Sequence, residues 1–247
     1  MSVIKKERID KLVHELGLAP SREKARALIM AGQVVVDDRR VDKAGEMVPV
    51  DAEIRIKGEI MPFVSRGGLK LERALEDFSI QVEGKSAIDV GASTGGFTDC
   101  LLQRGIKRVY AIDVGYGQMD LKVKNDERVV SIERTNIREL DTSIIPEKAD
   151  IAVIDVSFIS LTKVIPHVIP LLIDGGEIVA LIKPQFEVGK GEVGKGGIVK
   201  DDKKIEAVLQ NIKIFAEESG LEVNGLIPSP ILGGKGNREY LIYLRKD

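Results

Sequence analysis

Residues 87–113 read AIDVGASTGGFTDCLLQRGIKRVYAID. A short apolar run ends at Asp89-Val90 and gives way to Gly91-Ala92-Ser93-Thr94-Gly95-Gly96. Helical spacing then carries through Leu101 and Leu102 to a stop at Gly105, and a second apolar run, 109–112, closes on Asp113. The order is strand, glycine loop, helix, strand. Gly91, Gly95 and Gly96 let backbone pass close to a ligand where a Cβ would block it. A carboxylate closing the next strand is placed to accept hydrogen bonds from two ribose hydroxyls, as in open parallel sheets that bind nucleosides at a switch point. The spacing departs from the dinucleotide fingerprint GxGxxG, with the acid 22 residues after Gly91. For the glycines alone, a bare strand-to-helix turn is the alternative.

Composition bounds what surrounds this segment. A chain of 247 residues buries a full α/β core and still carries a small second domain. Charged residues make up 31% but the net charge is only −2, which excludes a globally basic coat, so any RNA contact must come from local clustering. A single cysteine, Cys100, rules out a disulfide framework and a cysteine-rich zinc site, and fits a reducing cytosol. It lies in the helix behind the glycine loop and reads as core packing. No apolar run approaches the roughly 18 residues of a membrane span, and the first ten residues are charged, unlike a signal. With no Trp and 4% aromatics, a base-stacking sheet is a poor candidate for the main RNA platform. His14 and His167 lack ligand spacing, so both read as structural and no metal is expected.

Residues 1–59 read as a separate small unit. Ile4, Ile9, Leu12, Val13 and Leu16 fall near helical spacing before Gly17. Ser21 caps a second helix carrying Ala25, Leu28, Ile29 and Met30, closed by Gly32. Short strands follow at 34–36 and 54–57, with a turn at Asp37-Asp38-Arg39-Arg40. Arg22 and Arg26 are one helical turn apart and share a face that suits phosphates, or is merely solvated. The run RIDKLVHELGLAPSREKARALIMAGQVVVDDRRVDKAGEMVPVDAEIRI resembles the alpha-L, or S-four-like, RNA-binding module. That resemblance implies that Arg8, Lys11, Ser21, Arg22 and Arg26 approach structured RNA.

A linker is expected at 60–64, within the aperiodic Gly58-to-Val64 stretch around Pro62, and the second domain spans 65–247. Its first helix has an apolar face of Leu69, Ala74, Leu75 and Phe78. Lys70 departs from that stripe and reads as solvated. Strands are expected at 129–132, 151–154 and 178–182, the second ending in Asp155 and the third delivering Lys183. Phe158 leads into a helix over 161–172, broken by Gly175-Gly176. Asn136, beyond a strand end, suits an adenine edge or a turn equally. Between Phe186 and Gly197, five glycines with Lys190 and Lys195 suggest a loop that orders on substrate, or a simple disordered linker. A helix at 203–219 and an antiparallel pair, 221–226 with 239–244, close the chain.

Four ionisable residues therefore stand at element ends: Lys70, Asp155, Lys183 and Glu239. Strand carboxyl ends converge on the ligand crevice of an open sheet, and Glu239 reaches the same rim because its strand runs antiparallel. Two lysines beside two acids suit transfer to a poorly acidic hydroxyl. A lysine near another cation in a partly dry pocket becomes a competent proton acceptor.

VSRGGLKL, DVGASTGGFTDCLL, AIDVG, VIDVSFISL, LIKPQFE and NREYLIY, in this order behind the alpha-L module, resemble the TlyA, or haemolysin-A-like, family. The resemblance implies an α/β, Rossmann-like, S-adenosylmethionine-dependent methyltransferase sheet of FtsJ type, with a small N-terminal α+β RNA-binding domain. It implies that Lys70, Asp155, Lys183 and Glu239 are a catalytic tetrad with Lys183 as base. Gly91, Ser93, Gly95, Gly96, Phe97 and Asp113 then hold the cofactor, with Asn136 near its adenine. The implied substrate is a cytidine 2′-hydroxyl of 16S or 23S rRNA in ribosomal particles, in the cytoplasm, with a monomer favoured and no membrane partner. Ser93-Thr94 stands where FtsJ commonly has Ala-Pro, so the loop conformation does not carry over.

Three other readings compete. A non-catalytic ribosome-assembly factor would keep the fold but not the acid–lysine set, and a cytolysin would need a lytic stretch that is not visible. Base methylation would want Asn-Pro-Pro-aromatic or a cysteine nucleophile where this chain has Asp155-Val156-Ser157-Phe158.

Overall fold

A computed structural model describes residues 5–57, 61–189, 191–194 and 196–247. Expectations resting on Ile4, Gly58, Lys190 and Lys195 lie outside the described residues. The chain divides into two compact units, Met1–Met61 and Pro62–Asp247.

The first unit runs Lys6–Arg8 (β1), Ile9–Glu15 (α1), Arg22–Met30 (α2), Val34–Val36 (β2), Arg39–Val41 (β3), Met47–Pro49 (β4) and Ile54–Ile56 (β5). Ile9, Val13, Ala25, Ile29, Val34, Val36 and Val41 form its core. Helix α1 starts later than its apolar spacing suggests, because residues 6–8 pair antiparallel with β4. Ser21 caps α2, its Oγ accepting from the Lys24 amide at 3.2 Å. The turn between β2 and β3 is tighter than the sequence indicates. Asp37 and Asp38 alone form it, at φ 45° and 65°, the left-handed pair of a two-residue hairpin loop, so Arg39 and Arg40 belong to the strand.

The second unit runs Gly67–Asp77 (α3), Ser86–Val90 (β6), Gly96–Gln103 (α4), Arg108–Ile112 (β7), Leu121–Lys124 (α5), Val129–Ile132 (β8), Ala149–Ile154 (β9), Ile165–Val168 (α6), Leu172–Ile182 (β10), Pro184–Glu187 (α7), Asp202–Glu218 (α8), Leu221–Pro228 (β11) and Tyr240–Lys246 (β12). Its sheet has the order β11-β12-β10-β9-β6-β7-β8. Strands β8, β7, β6, β9 and β10 are parallel, and β12 is antiparallel to both of its neighbours. This is an α/β fold with core on both faces of the sheet: Ile88 and Ile154 join one side, Ala87, Ile151 and Val153 the other. Continuous apolar strands such as 149–154 are what burial on two faces demands.

Two local expectations fail for identifiable reasons. The single helix over 161–172 is instead a 3₁₀ turn (Leu161–Lys163), the four-residue α6 and a second 3₁₀ turn (Ile169–Leu171). Pro166 and Pro170 each remove a backbone donor there. Gly175-Gly176 does not end a helix either; it forms an irregularity inside β10, between the Leu172 and Glu177 pairings, with Gly175 at φ 73°. Among the described residues, no helix is long and apolar enough to cross a membrane.

Asp89 in β6 is fully buried, and the Thr98 hydroxyl of α4 donates to its Oδ2 at 2.6 Å. Its Oδ1 has no hydrogen-bond partner among the described residues. Burial pushes its carboxyl up to about 7, with the charges of Asp155 and Asp113 adding to the effect against the Thr98 bond. The folded state therefore holds a proton that the unfolded chain, titrating near about 4, releases. Stability drawn from this group falls as pH rises from about 4 to about 7. Asp89→Asn keeps an acceptor for Thr98 and removes the titration, so its Tm relative to the parent should climb across that window. Thermal unfolding at stepped pH measures it, and a constant difference would contradict the assignment.

Candidate active site

Strands β6, β7, β9 and β10 end at one edge of the sheet, and Gly91, Asp113, Asp155 and Lys183 are the residues that follow them. Strand β12 begins at that edge, with Tyr240 opposite Ile182, so Glu239 arrives beside Lys183 from the other direction.

The glycine loop alternates handedness. Gly91, Ser93 and Gly95 have φ of 87°, 47° and 87°. A Cβ on Gly91 would stand 2.6 Å from the Asp155 carbonyl oxygen, so the loop lies directly on the end of β9. Gly96 is equally constrained, its open side filled by the Ser65 hydroxyl and the Gly68 amide at the start of α3. Ser93 holds a left-handed conformation although it carries a side chain. Its amide donates to Asp113 Oδ2 at 2.7 Å, while the Gly115 amide donates to Oδ1 at 2.6 Å. Each Asp113 oxygen retains a lone pair toward a small recess lined by Ser93, Gly115, Gln118 and Glu133.

Beside this loop the four charged candidates meet. Lys70 Nζ donates to Glu239 Oε2 at 2.7 Å and lies 4.0 Å from Asp155 Oδ2. Asp155 Oδ1 lies 2.6 Å from Lys183 Nζ. That contact is an ion pair off the hydrogen-bonding line, and Lys183 also donates to Ser157 Oγ at 2.9 Å. Both lysine side chains are only 10% exposed. The solvated reading of Lys70 is therefore corrected: its place off the apolar stripe of α3 aims it at Glu239. A cavity of about 310 Å³ joins Lys70, Asp155 and Lys183 to Gly91, Ser93, Gly96 and Phe97, with residues 231–234 as a further wall.

The remaining candidates are placed differently. Asn136 lines neither recess, and its Oδ1 accepts from the Arg138 amide and Nε at 3.1 and 3.2 Å, the geometry of a turn cap. Cys100 is buried in α4, and that burial pushes its thiol up to about 12. In the first unit, Arg8, Arg22 and Arg26 converge on Asp10. Lys11 pairs with Glu7 and Glu15, and Ser21 is occupied as a helix cap.

The second unit matches the model of the FtsJ-like methyltransferases over residues 63–246, and residues 7–54 match the S4 domain. The chain belongs to the FtsJ-like methyltransferase family. Among its relatives, Bacillus subtilis YqxC, provisionally named an rRNA methyltransferase, is 50% identical over 97% of this chain and 86% of its own. The 16S/23S rRNA (cytidine-2′-O)-methyltransferase TlyA of Mycobacterium tuberculosis is 43% identical, over 98% of this chain and 90% of its own. A solved structure from Streptococcus thermophilus, provisionally named a hemolysin, superposes with a TM-score of 0.76 at 46% identity, covering 99% of this chain and 90% of that one.

Within this methyltransferase unit, two residues at the site carry little signal in the sequence. Ser157 fixes the Lys183 ammonium, and its only mark is its place two residues after Asp155. Phe158, expected to lead into a helix, is 90% exposed at φ 64°, with its ring 4.9 Å from that of Phe186. Ser160 Oγ and the Leu161 amide both donate to Glu187 of α7, which clamps this turn against the helix that follows Lys183. Burial raises the Glu187 carboxyl above its ordinary value.

Gly233 packs against the Glu239 carboxylate, where any Cβ would collide with Oε1, a side-chain tip that can move. Its φ is −73°, so alanine is tolerated by the backbone. Gly233→Ala should displace Glu239 from Lys70, lowering methyl transfer and costing about 3 kcal/mol of stability, because both partners are buried. Turnover and thermal unfolding measured on the same preparation test this. Unchanged turnover would mean that the Lys70–Glu239 pair is dispensable.

Proposed function

We propose that the protein is an S-adenosylmethionine-dependent rRNA methyltransferase acting on a cytidine ribose 2′-hydroxyl of 16S or 23S rRNA, in the cytoplasm where ribosomes are. The observation that carries this reading is the single carboxylate of Asp155, set between Lys183 at 2.6 Å and Lys70 at 4.0 Å, against the glycine loop. The family and the named activity of the Mycobacterium tuberculosis relative support the substrate class.

The loop fits the proposed cofactor. Gly91, Ser93 and Gly96 line the cavity, Gly91 and Gly95 let the loop close onto the Asp155 strand end and onto Val123, and Asp113 keeps acceptor capacity suited to two ribose hydroxyls. When bound, S-adenosylmethionine supplies an electrophilic methyl group on a sulfonium. The chain's own residues handle the acceptor. Lys183 Nζ, as the neutral amine after giving up one proton to solvent, takes the proton of the attacking 2′-hydroxyl and returns to the ammonium; Ser157 and Asp155 hold that nitrogen at the cavity, and Lys70 offsets the second Asp155 oxygen. Glu239 fixes Lys70. Such general-base action contributes roughly 10²- to 10⁴-fold, with positioning adding to it. The exposed face of Phe158 offers a stacking surface for the base of the nucleotide whose ribose enters.

Lys183→Ala should abolish methyl transfer to ribosomal subunits while leaving RNA binding within about three-fold, since the group acts on the proton and not on the phosphates. A normal rate from the purified variant would refute the assignment. Phe158→Ala should raise KM for the RNA by about tenfold, the scale of one lost base–aromatic stack, without altering cofactor affinity. Steady-state kinetics paired with calorimetric titration of S-adenosylmethionine separates those two quantities.

A further inference from the structure

Asp10 in α1 is wholly buried, yet three arginines, each about half exposed, close over it. Arg8 donates from Nε at 3.0 Å and Nη2 at 3.1 Å, Arg22 from Nε at 3.1 Å and Nη2 at 3.2 Å, and Arg26 from Nε at 3.0 Å. Those donors saturate a carboxylate, which has about four lone-pair sites. The Arg8 bonds hold its carboxyl far below the usual range, and Arg22 and Arg26 add to this against the opposing effect of burial. Each guanidinium keeps further N–H groups that meet no acceptor among the described residues. One buried negative charge thus underlies three positive ones that reach solvent: Arg22 and Arg26 on the α2 face that the sequence singles out, and Arg8 at the end of β1.

We propose that Asp10 is a positioning residue for phosphate recognition by this unit. It sets Arg8, Arg22 and Arg26 as a preformed fan of guanidiniums for the phosphates of structured RNA, so that their side-chain freedom is lost on folding and not on binding. The proposal rests on the rRNA-binding reading above. It also opposes simple Coulombic expectation. Removing a negative charge beneath a phosphate-binding face should tighten RNA binding if charge alone matters. Releasing three long side chains should weaken it if their placement matters.

Filter binding of the full-length protein to purified 16S and 23S rRNA, across a salt series, distinguishes these signs. Asp10→Asn is expected to weaken binding roughly tenfold at moderate salt, despite the added net positive charge. Equal or tighter binding overturns the proposal. Circular dichroism reports whether the α1–α2 unit stays folded. If it does not, Arg22→Lys becomes the deciding variant, since it keeps the charge and loses the two-pronged contact with Asp10. Several-fold weaker binding by that variant supports the proposal, and unchanged binding overturns it. The triple change of Arg8, Arg22 and Arg26 to Gln tests the underlying reading separately. If RNA binding survives the triple change, this face does not bind RNA at all. If binding collapses there while Asp10→Asn binds as well as the parent, only the role of Asp10 falls.

Discussion

Two ammonium groups, each with only a tenth of its side chain exposed, cannot share a cavity rim without counter-charge. Leaving either unpaired in that setting would cost several kcal/mol. Asp155 supplies the answer for both lysines, and Glu239 completes it for Lys70. The rest of the second unit follows from the need to hold this arrangement. Asp155 and Lys183 are fixed by adjacent parallel strands, and Glu239 can join them only because β12 runs the opposite way. A parallel strand in that place would bring its wrong end to the site. Lys70, from the far end of the unit's sequence, is held by α3 packed against α4, the helix that the glycine loop begins.

The glycine loop and the charged group are mechanically one object. Gly91 is pressed against the Asp155 carbonyl, and Gly96 against the Ser65 and Gly68 region from which α3 starts. Any shift of the glycine loop therefore moves the acid between the lysines and the base of the helix carrying Lys70. Geometry of that kind suits a reaction whose barrier depends on alignment of an attacking oxygen with a transferred group.

Much of this is legible in the chain because strand ends advertise themselves. An apolar run that stops at one charged residue fits a strand buried on both faces and opening onto a crevice; 151–154 before Asp155 and 178–182 before Lys183 both show it. Lys70 is not legible, since a lysine off an apolar helical stripe looks the same whether it meets water or an acid 169 residues away in sequence. Strands β1 and β4 are three residues each, too short for any period to show. Gly175-Gly176 resembles a helix stop because a bulge and a cap both favour glycine, and only the pairing with β9 tells them apart. The exposure of Phe158 is not legible in the chain, because an exposed aromatic in a left-handed turn is a tertiary fact, fixed by Glu187 gripping the following residues.

Charge balance then decides where recognition of RNA has to originate. Two lysines and two acids leave the charged group beside the glycine loop neutral, and the whole chain carries only −2. Long-range attraction to a polyanion therefore cannot come from the net charge or from the chemistry of the site. It requires a local excess of cations with donors to spare, and the arginines over Asp10 are such a group. The division is physically sensible, because a catalytic rim that bound phosphate strongly would compete with entry of a single ribose. A rim that is neutral in charge and flanked by one exposed aromatic ring can select a nucleoside by stacking and leave the backbone to be held elsewhere.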